Sequence, residues 1–412
     1  MLKLVAVAFY DPVFVDVAVA VFNTPFDERP ELASLLFVGA REQITGRAVC
    51  AHRSVAPAKR LEIVVFSPLC RRFEVTLRYM TKYTDVELCA GAGGQAHGLE
   101  LAGFEHVALV EIDRHACETL RLNRPQWNVL EADLHEWDPS AYEGVDLLSG
   151  GVPCPPFSVA GKQLGELDDR ELFGRALEII RQIKPRGVML ENVRGLLDPK
   201  FDTFRKNVSD RLRRYGYSPQ WRLLQASDYG VSQLRPRVIC VALRPIDMRH
   251  FVWPEPDEAT PPTVGELLGD LMAANGWKGA AAWSKQANTI APTLVGGSKL
   301  HGGADLGPTR AKRAWMKLGI DGRSIADDNP PADAPNDFTP RLTVRMAARI
   351  QGFDDEWQFS GRKTSSYRQV GNAFPPAVAR RVGQQIIRAW EATDGTGSAI
   401  STGKEDIPHS TD

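Results

Sequence analysis

The sequence predicts an α/β fold: a mainly parallel sheet with helices on both faces, joined to a smaller loop-rich domain. Three observations carry that prediction. Short apolar runs alternate with helical stretches from Thr84 to Leu243, the pattern of units that build parallel sheets. A glycine-rich turn, from Glu87 to Gly94, joins the first run to the first helical stretch. Between about Arg244 and Pro340 the texture changes, with Trp253-Pro254, Pro261-Pro262, Gly296-Gly297 and Gly302-Gly303 punctuating the chain.

A chain of 412 residues is long enough for a full hydrophobic core and two or three domains. Its 43% apolar and 25% charged residues are ordinary for a globular protein. The net charge of -1 excludes a polycation, so any nucleic-acid contact has to come from local basic patches. Cys50, Cys70, Cys89, Cys117, Cys154 and Cys240 form no CxxC pair, which argues against a zinc site and fits reduced thiols better than a disulfide framework. Asp11 and Asp16 interrupt the apolar N-terminal stretch. No run reaches the ~18 apolar residues of a membrane span, and a signal peptide is equally poorly matched.

The elements follow in order. Residues 1–79 lack the turn and cap chemistry of the rest. They read either as an extra subdomain or, the favoured expectation, as sequence upstream of a true start at Met80. Asp85–Cys89, His106–Val110, Val145–Ser149, Gly187–Leu190 and Arg237–Leu243 read as strands, and Leu172–Ile183 as a helix. Residues 80–245 are thus expected to form one domain and 246–340 an insert, with 341–392 returning to the first domain. Arg341–Phe353 looks helical, and so does Pro376–Ala392, which carries proline at its first turn and a stripe of Val382, Ile386 and Trp390. The tail 393–412 is expected to be disordered.

Chemistry concentrates at the strand ends. A glycine turn after a strand permits close approach of a ligand and presents backbone N–H groups to an anion. Alone it equally suits a plain tight turn. Glu111 follows about 20 residues later at the end of the next strand, and Asp133 follows that. Acids so placed suit the ribose and exocyclic amine of an adenosine. In the segment Gly150–Ser158, prolines flank Cys154 at the carboxyl end of another strand, where open α/β sheets bind ligands. Stiff flanks hold a nucleophile in place. Glu191, Arg235 and Arg237 at further strand ends add an acid and guanidinium groups. Taken singly, each fits a surface ion pair.

As an ordered set these segments resemble the cytosine-5 DNA methyltransferase family, over about residues 84–245 and 341–392. ELCAGAGG resembles the family's cofactor loop, GGVPCPPFSVAGKQ its catalytic loop, ENV its acid motif and YGVSQLRPRV its arginine motif. RLTVRMAARIQGF and QVGNAFPPAVA resemble its two C-terminal motifs. The resemblance implies a Rossmann-like sheet that uses S-adenosylmethionine, with a target-recognition domain in the insert and no metal. It implies that Cys154 attacks C6 of a flipped-out cytosine, that Glu191 contacts N3 and the amino group, and that Arg237 holds O2 with Arg235 nearby. Cofactor contacts are implied at Cys89, Ala90, Gly91, Gly93, Gly94, Glu111, Ile112, Asp133, Leu134, Pro153, Asn372 and Ala373. DNA contacts are implied at Ser158, Lys162, Gln163, Thr293, Leu294, Lys299, Arg310 and Arg313. Departures are Cys89 where the family usually has Phe, Pro155 where it often has Gln, Ser232 where Pro is common, and Ala160 where some members carry Ser.

A stand-alone chain of this kind implies double-stranded DNA as partner, functional pairing with a restriction endonuclease, a monomer, and a cytoplasmic, nucleoid-associated location. Rival readings are an RNA cytosine-5 methyltransferase, a non-catalytic DNA-binding module and an amino-group methyltransferase. The insert argues against the first, and the joint presence of Cys154, Glu191 and Arg237 against the second. Amino-group enzymes typically place Asp or Asn before the Pro-Pro where Cys154 stands, which argues against the third.

Overall fold

The computed structural model describes residues 83–153, 169–297 and 303–400, together with four strands nearer the N-terminus. The chain divides into two units, Met1–Thr81 and Lys82–Asp412. In the first, β1 (Ser34–Leu36) pairs antiparallel with β2 (Thr45–Arg47), and β3 (Arg60–Ser67) with β4 (Cys70–Arg78).

The second unit is built on a seven-stranded sheet. Its strands are β5 (Tyr83–Leu88), β6 (Phe104–Glu111), β7 (Val129–Glu131), β8 (Leu147–Gly150), β9 (Gly187–Val193), β10 (Ser218–Gln225) and β11 (Pro236–Leu243). They lie in the order β10-β11-β9-β8-β5-β6-β7. β5 to β9 are mutually parallel, and β11 runs antiparallel to both β9 and β10. The mainly parallel sheet expected from the sequence is therefore present, and all five strands read there fall in it. β7 and β10 are additions.

From β5 the chain moves outward to β6 and β7, then returns to the other side of β5 as β8. The order reverses between β5 and β8, which makes the crevice beyond their carboxyl ends the ligand site of such a sheet. The glycine turn leaves β5 and the Cys154 segment leaves β8 at this point.

Helices cover both faces. α1 (Gly94–Ala102) and α11 (Pro376–Ile400) lie on one face, where Leu99, Val382, Ile386 and Trp390 pack on Leu147 and Met189. α3 (Asp169–Ile183) and α4 (Asp202–Arg214) lie on the other, where Phe173, Ile180 and Leu212 pack on Val86, Leu88 and Leu148. α2 (Arg114–Asn123) links β6 to β7, and α5 (Pro245–Met248) follows β11.

The insert is more helical than its Pro and Gly content suggests. It holds α6 (Val264–Ala273), α7 (Ala280–Gln286) and α8 (Thr309–Lys317). α6 starts at a capping box: the Thr263 hydroxyl accepts from Glu266 N–H, and the Glu266 carboxylate accepts from Thr263 N–H. Trp277, Trp283 and Trp315 of the insert share one core with Met346 and Ile350 of α9 (Val344–Gln351), Tyr367 of α10 (Lys363–Asn372), and Cys117 and Leu120 of α2. Among the described residues, the insert's buried side chains therefore join a core shared with α2, α9 and α10. The tail expected to be disordered from Thr393 instead continues α11 to Ile400. Among the described residues no helix is long and apolar enough to cross a membrane.

α1 and α11 meet backbone to backbone. A Cβ added at Gly98 would lie 2.2 Å from the Pro376 carbonyl oxygen, 2.6 Å from Ala379 Cβ and 2.9 Å from Arg380 N. These neighbours cannot rotate away, so overpacking here costs about 3 kcal/mol or more. Gly98→Ala is expected to lower the thermal midpoint clearly; equal melting curves for the two proteins would contradict this packing.

Candidate active site

The glycine turn after β5 is built from strained backbone. Cys89 at φ 53° is a non-glycine residue in the left-handed region, a costly conformation held by its surroundings. Gly93, at φ 83°, caps α1. A Cβ at Gly94 would meet the Phe374 carbonyl oxygen at 2.2 Å and Ala373 Cβ at 3.2 Å. The segment around Ala373 therefore returns to the start of the fold and closes against the turn.

Glu111 locks this turn to the next strand. Its Oε2 accepts from Gly91 N–H at 2.7 Å, and its Oε1 accepts from Ile112 N–H at 2.9 Å and Asp113 N–H at 2.7 Å. A carboxylate has about four acceptor sites, so capacity remains for a ligand hydroxyl. Ile112 beside it is 64% exposed, an apolar surface presented at a strand end. Asp133 accepts from His135 N–H, and Leu134 is buried.

A buried ion pair joins β9 and β11. Arg237 Nε sits 2.8 Å from Glu191 Oε1, with side-chain exposures of 11% and 12%. Burial pushes the Glu191 carboxyl above its ordinary range, although Arg237 and Arg235 pull it down. An acid so placed can hold a proton and still face a guanidinium. A Cβ at Gly151 would lie 3.2 Å from Glu191 Oε2, so the strand end leading to Cys154 runs directly beside the acid. Asn192 fixes that approach, donating from Nδ2 to the Val152 carbonyl at 2.9 Å. Pro153 is exposed at the mouth. Cys154, Ser158, Lys162, Gln163 and Lys299 lie outside the described residues.

Residues 83–388 match the family model for the C-5 cytosine-specific DNA methylase. The chain belongs to this family. It is similar to the type II methyltransferase M.NaeI of Lentzea aerocolonigenes, with 57% identity over 316 residues, 76% of each chain. It is also similar to M.NgoMIV of Neisseria gonorrhoeae, with 53% identity over 322 residues, 75% of this chain and 98% of that one. Among solved structures, the S. pombe Dnmt2 methyltransferase superposes with a TM-score of 0.51 at 19% identity, covering 74% of this chain and 98% of that one, and so shares the fold.

Within this C-5 cytosine methylase, the two arginines of the QLRPR segment have different work. Arg237 faces the acid. Arg235 is fully buried; its charge acts on Glu191 from nearby, but its hydrogen bonds go elsewhere. Its Nη1 donates to the Leu294 carbonyl at 2.8 Å, and its Nη2 to the carbonyls of Gly371 at 2.7 Å and Ala373 at 3.0 Å. It ties the insert and the C-terminal segment to the start of the catalytic strand, and is a positioning residue.

Thr293 and Leu294, expected as DNA contacts, sit in the same seam. Leu294 is buried, and its N–H donates to Gln233 Oε1. The Thr293 hydroxyl donates to the Leu234 carbonyl. The pair docks the methylase's insert on its catalytic strand, leaving no free edge of Leu294 for DNA. Asn372 Nδ2 donates to the Gly297 carbonyl at 3.1 Å, closing the same seam.

The sequence reading passed over a buried polar row on β5. Asp85 Oδ2 lies 2.9 Å from His106 Nδ1 and accepts from the Ser149 hydroxyl at 3.0 Å. His106 Nε2 lies 2.8 Å from the Ala96 carbonyl. A carbonyl only accepts, so Nε2 is the donor there and Nδ1 faces the Asp85 carboxyl. Glu87, two residues on, is buried with no partner for Oε2. Burial, with Asp85, Glu111 and Glu191 nearby, pushes its carboxyl well above the usual range. Acids at alternate positions of an otherwise apolar buried strand are the signal that marks this row.

Proposed function

We propose that this methylase transfers a methyl group from S-adenosylmethionine to C5 of a cytosine flipped out of a specific duplex DNA sequence, and that it protects that sequence from a restriction endonuclease. The observation that carries the reading is the buried Glu191–Arg237 pair, 2.8 Å apart, beside the strand end that leads into Cys154.

The site fits the cofactor. Glu87 Oε2 is an orphaned buried acceptor suited to an ammonium group. Glu111 and Asp133 offer carboxylates to ribose hydroxyls and to an amine, and Ile112 offers an apolar face to adenine. The backbone of Cys89, Ala90, Gly91, Gly93 and Gly94 lets a ligand approach closely, while Leu134, Pro153, Asn372 and Ala373 complete the surroundings. S-adenosylmethionine, when bound, supplies a methyl group on an electrophilic sulfonium.

The chain's own residues prepare the base. The Cys154 thiolate adds to C6. Glu191 donates a proton to N3, and Arg237 holds O2, so the electrons released by addition collect at C5. After C5 is methylated, a base takes the C5 proton, the electron pair of that bond re-forms the C5–C6 double bond and expels the thiolate, and N3 returns its proton to Glu191. Thiolate addition takes place above the ring plane, which a stacked base cannot offer, so the cytosine leaves the duplex first. Outside the cleft, Ser158, Lys162, Gln163, Lys299, Arg310 and Arg313 are the proposed DNA contacts, and the insert reads the sequence.

Incubation with cofactor tritiated on its methyl group tests the reading. Label is expected in duplex DNA carrying the target and not in transfer RNA, and bisulfite sequencing of a host expressing the protein should reveal one recurring protected sequence. Label confined to RNA would overturn the proposal.

A further inference from the structure

Helix α8 stands out in charge and in anchorage. Its nine residues, Thr309–Lys317, carry Arg310, Lys312, Arg313 and Lys317 and no acid, in a protein whose net charge is -1. Lys312 is neutralised by Asp305 at 3.0 Å. Among the described residues, Arg310, Arg313 and Lys317 make no ion pair. They are exposed together with Met316, which is 50% exposed. The spacing i, i+3, i+6, i+7 puts all four on one face.

The opposite face is fixed. Trp315 is wholly buried in the core shared with Trp283, Leu306, Leu318 and Ile320. The helix is therefore a rigid rod with an unpartnered cationic side. Its start is tied to the active site by a short path. Gly307 lies just before it, and a Cβ there would be 3.4 Å from Val295 Cγ2. Val295 follows Leu294, whose carbonyl is held by Arg235, two residues before Arg237.

We propose that α8 is the reading helix of this methylase. It enters the major groove beside the flipped cytosine, with Arg310 and Arg313 on guanine edges and Lys317 on a backbone phosphate. The inference rests on the proposed action on duplex DNA. A guanidinium fork matches O6 and N7 of guanine, and residues in the first turns of a groove-bound helix are those that reach base edges. Lys317, in the last turn, provides a point charge that carries no base information.

The test uses the full-length protein and a duplex bearing the sequence methylated in an expressing host. Each guanine of that sequence is replaced in turn by 7-deazaguanine, which lacks the N7 acceptor. Arg310→Ala and Arg313→Ala are each expected to lower kcat/KM by about 10- to 100-fold. Each should also become indifferent to 7-deazaguanine at one position where the wild type is sensitive. Lys317→Ala should weaken binding to all duplexes alike and reduce the salt slope by about one. Unchanged melting temperatures would confirm that folding is intact, as expected for exposed side chains. Wild-type kcat/KM in both arginine variants would overturn the proposal, and so would a uniform loss with base discrimination preserved. Failure of the wild type to methylate any duplex would overturn the parent reading as well.

Discussion

Cys154→Ser is expected to abolish methyl transfer, with a loss on the order of 10^4-fold or more, as is typical when a nucleophile is removed. Serine is nearly the same size, so binding of the target duplex should survive. Its hydroxyl ionises far less readily than a thiol and adds poorly to a pyrimidine ring. A duplex with 5-fluorocytosine at the target position separates the steps. Fluorine cannot leave as the C5 proton does, so wild-type protein and cofactor should give an adduct that survives denaturation, and the variant should give none. Substantial turnover by Cys154→Ser, or the same adduct, would remove the nucleophile from the mechanism.

Glu191→Gln is expected to have the next largest effect, lowering kcat by about 10^2- to 10^4-fold, the usual span for a general acid. Glutamine keeps the shape and can still accept from Arg237, so binding of DNA should change little. The pH profile is the sharper readout. Burial raises the Glu191 carboxyl above its ordinary value, so its protonated form persists to higher pH than that of a free glutamate and is lost as pH rises through the raised value. Wild-type kcat should fall along that limb, while the residual activity of Glu191→Gln, with nothing there to titrate, should not. An identical alkaline limb in both proteins would assign the proton to another group.

Much of the site was legible because its chemistry demands particular residues at strand ends. The glycines between Glu87 and Gly94, Glu111 one strand later, and Glu191 with Arg237 all stand where the alternating pattern placed them. The less legible parts have physical causes. β10 contains Pro219 and alternates weakly, as an edge strand tolerates, and β7 is only three residues long. The capping box at Thr263 and Glu266 was a readable helix start, obscured by the surrounding prolines. Motif position set Arg237 toward the base with Arg235 nearby, but what Arg235 holds is tertiary: three carbonyls from distant segments. The burial of Leu294 was hidden for the same reason, since resemblance assigns a pair to a region but not to its inner or outer side.

The close seam at Gly94 and Gly98 has a consequence for the protein's birth. The glycine turn and α1 pack against Ala373, Phe374 and Pro376, far downstream in the chain. A ribosome delivers those residues long after the turn itself has emerged, and contacts so distant in sequence form late. The nascent chain therefore carries Glu191 and Arg237 well before the segment that closes the turn has been made.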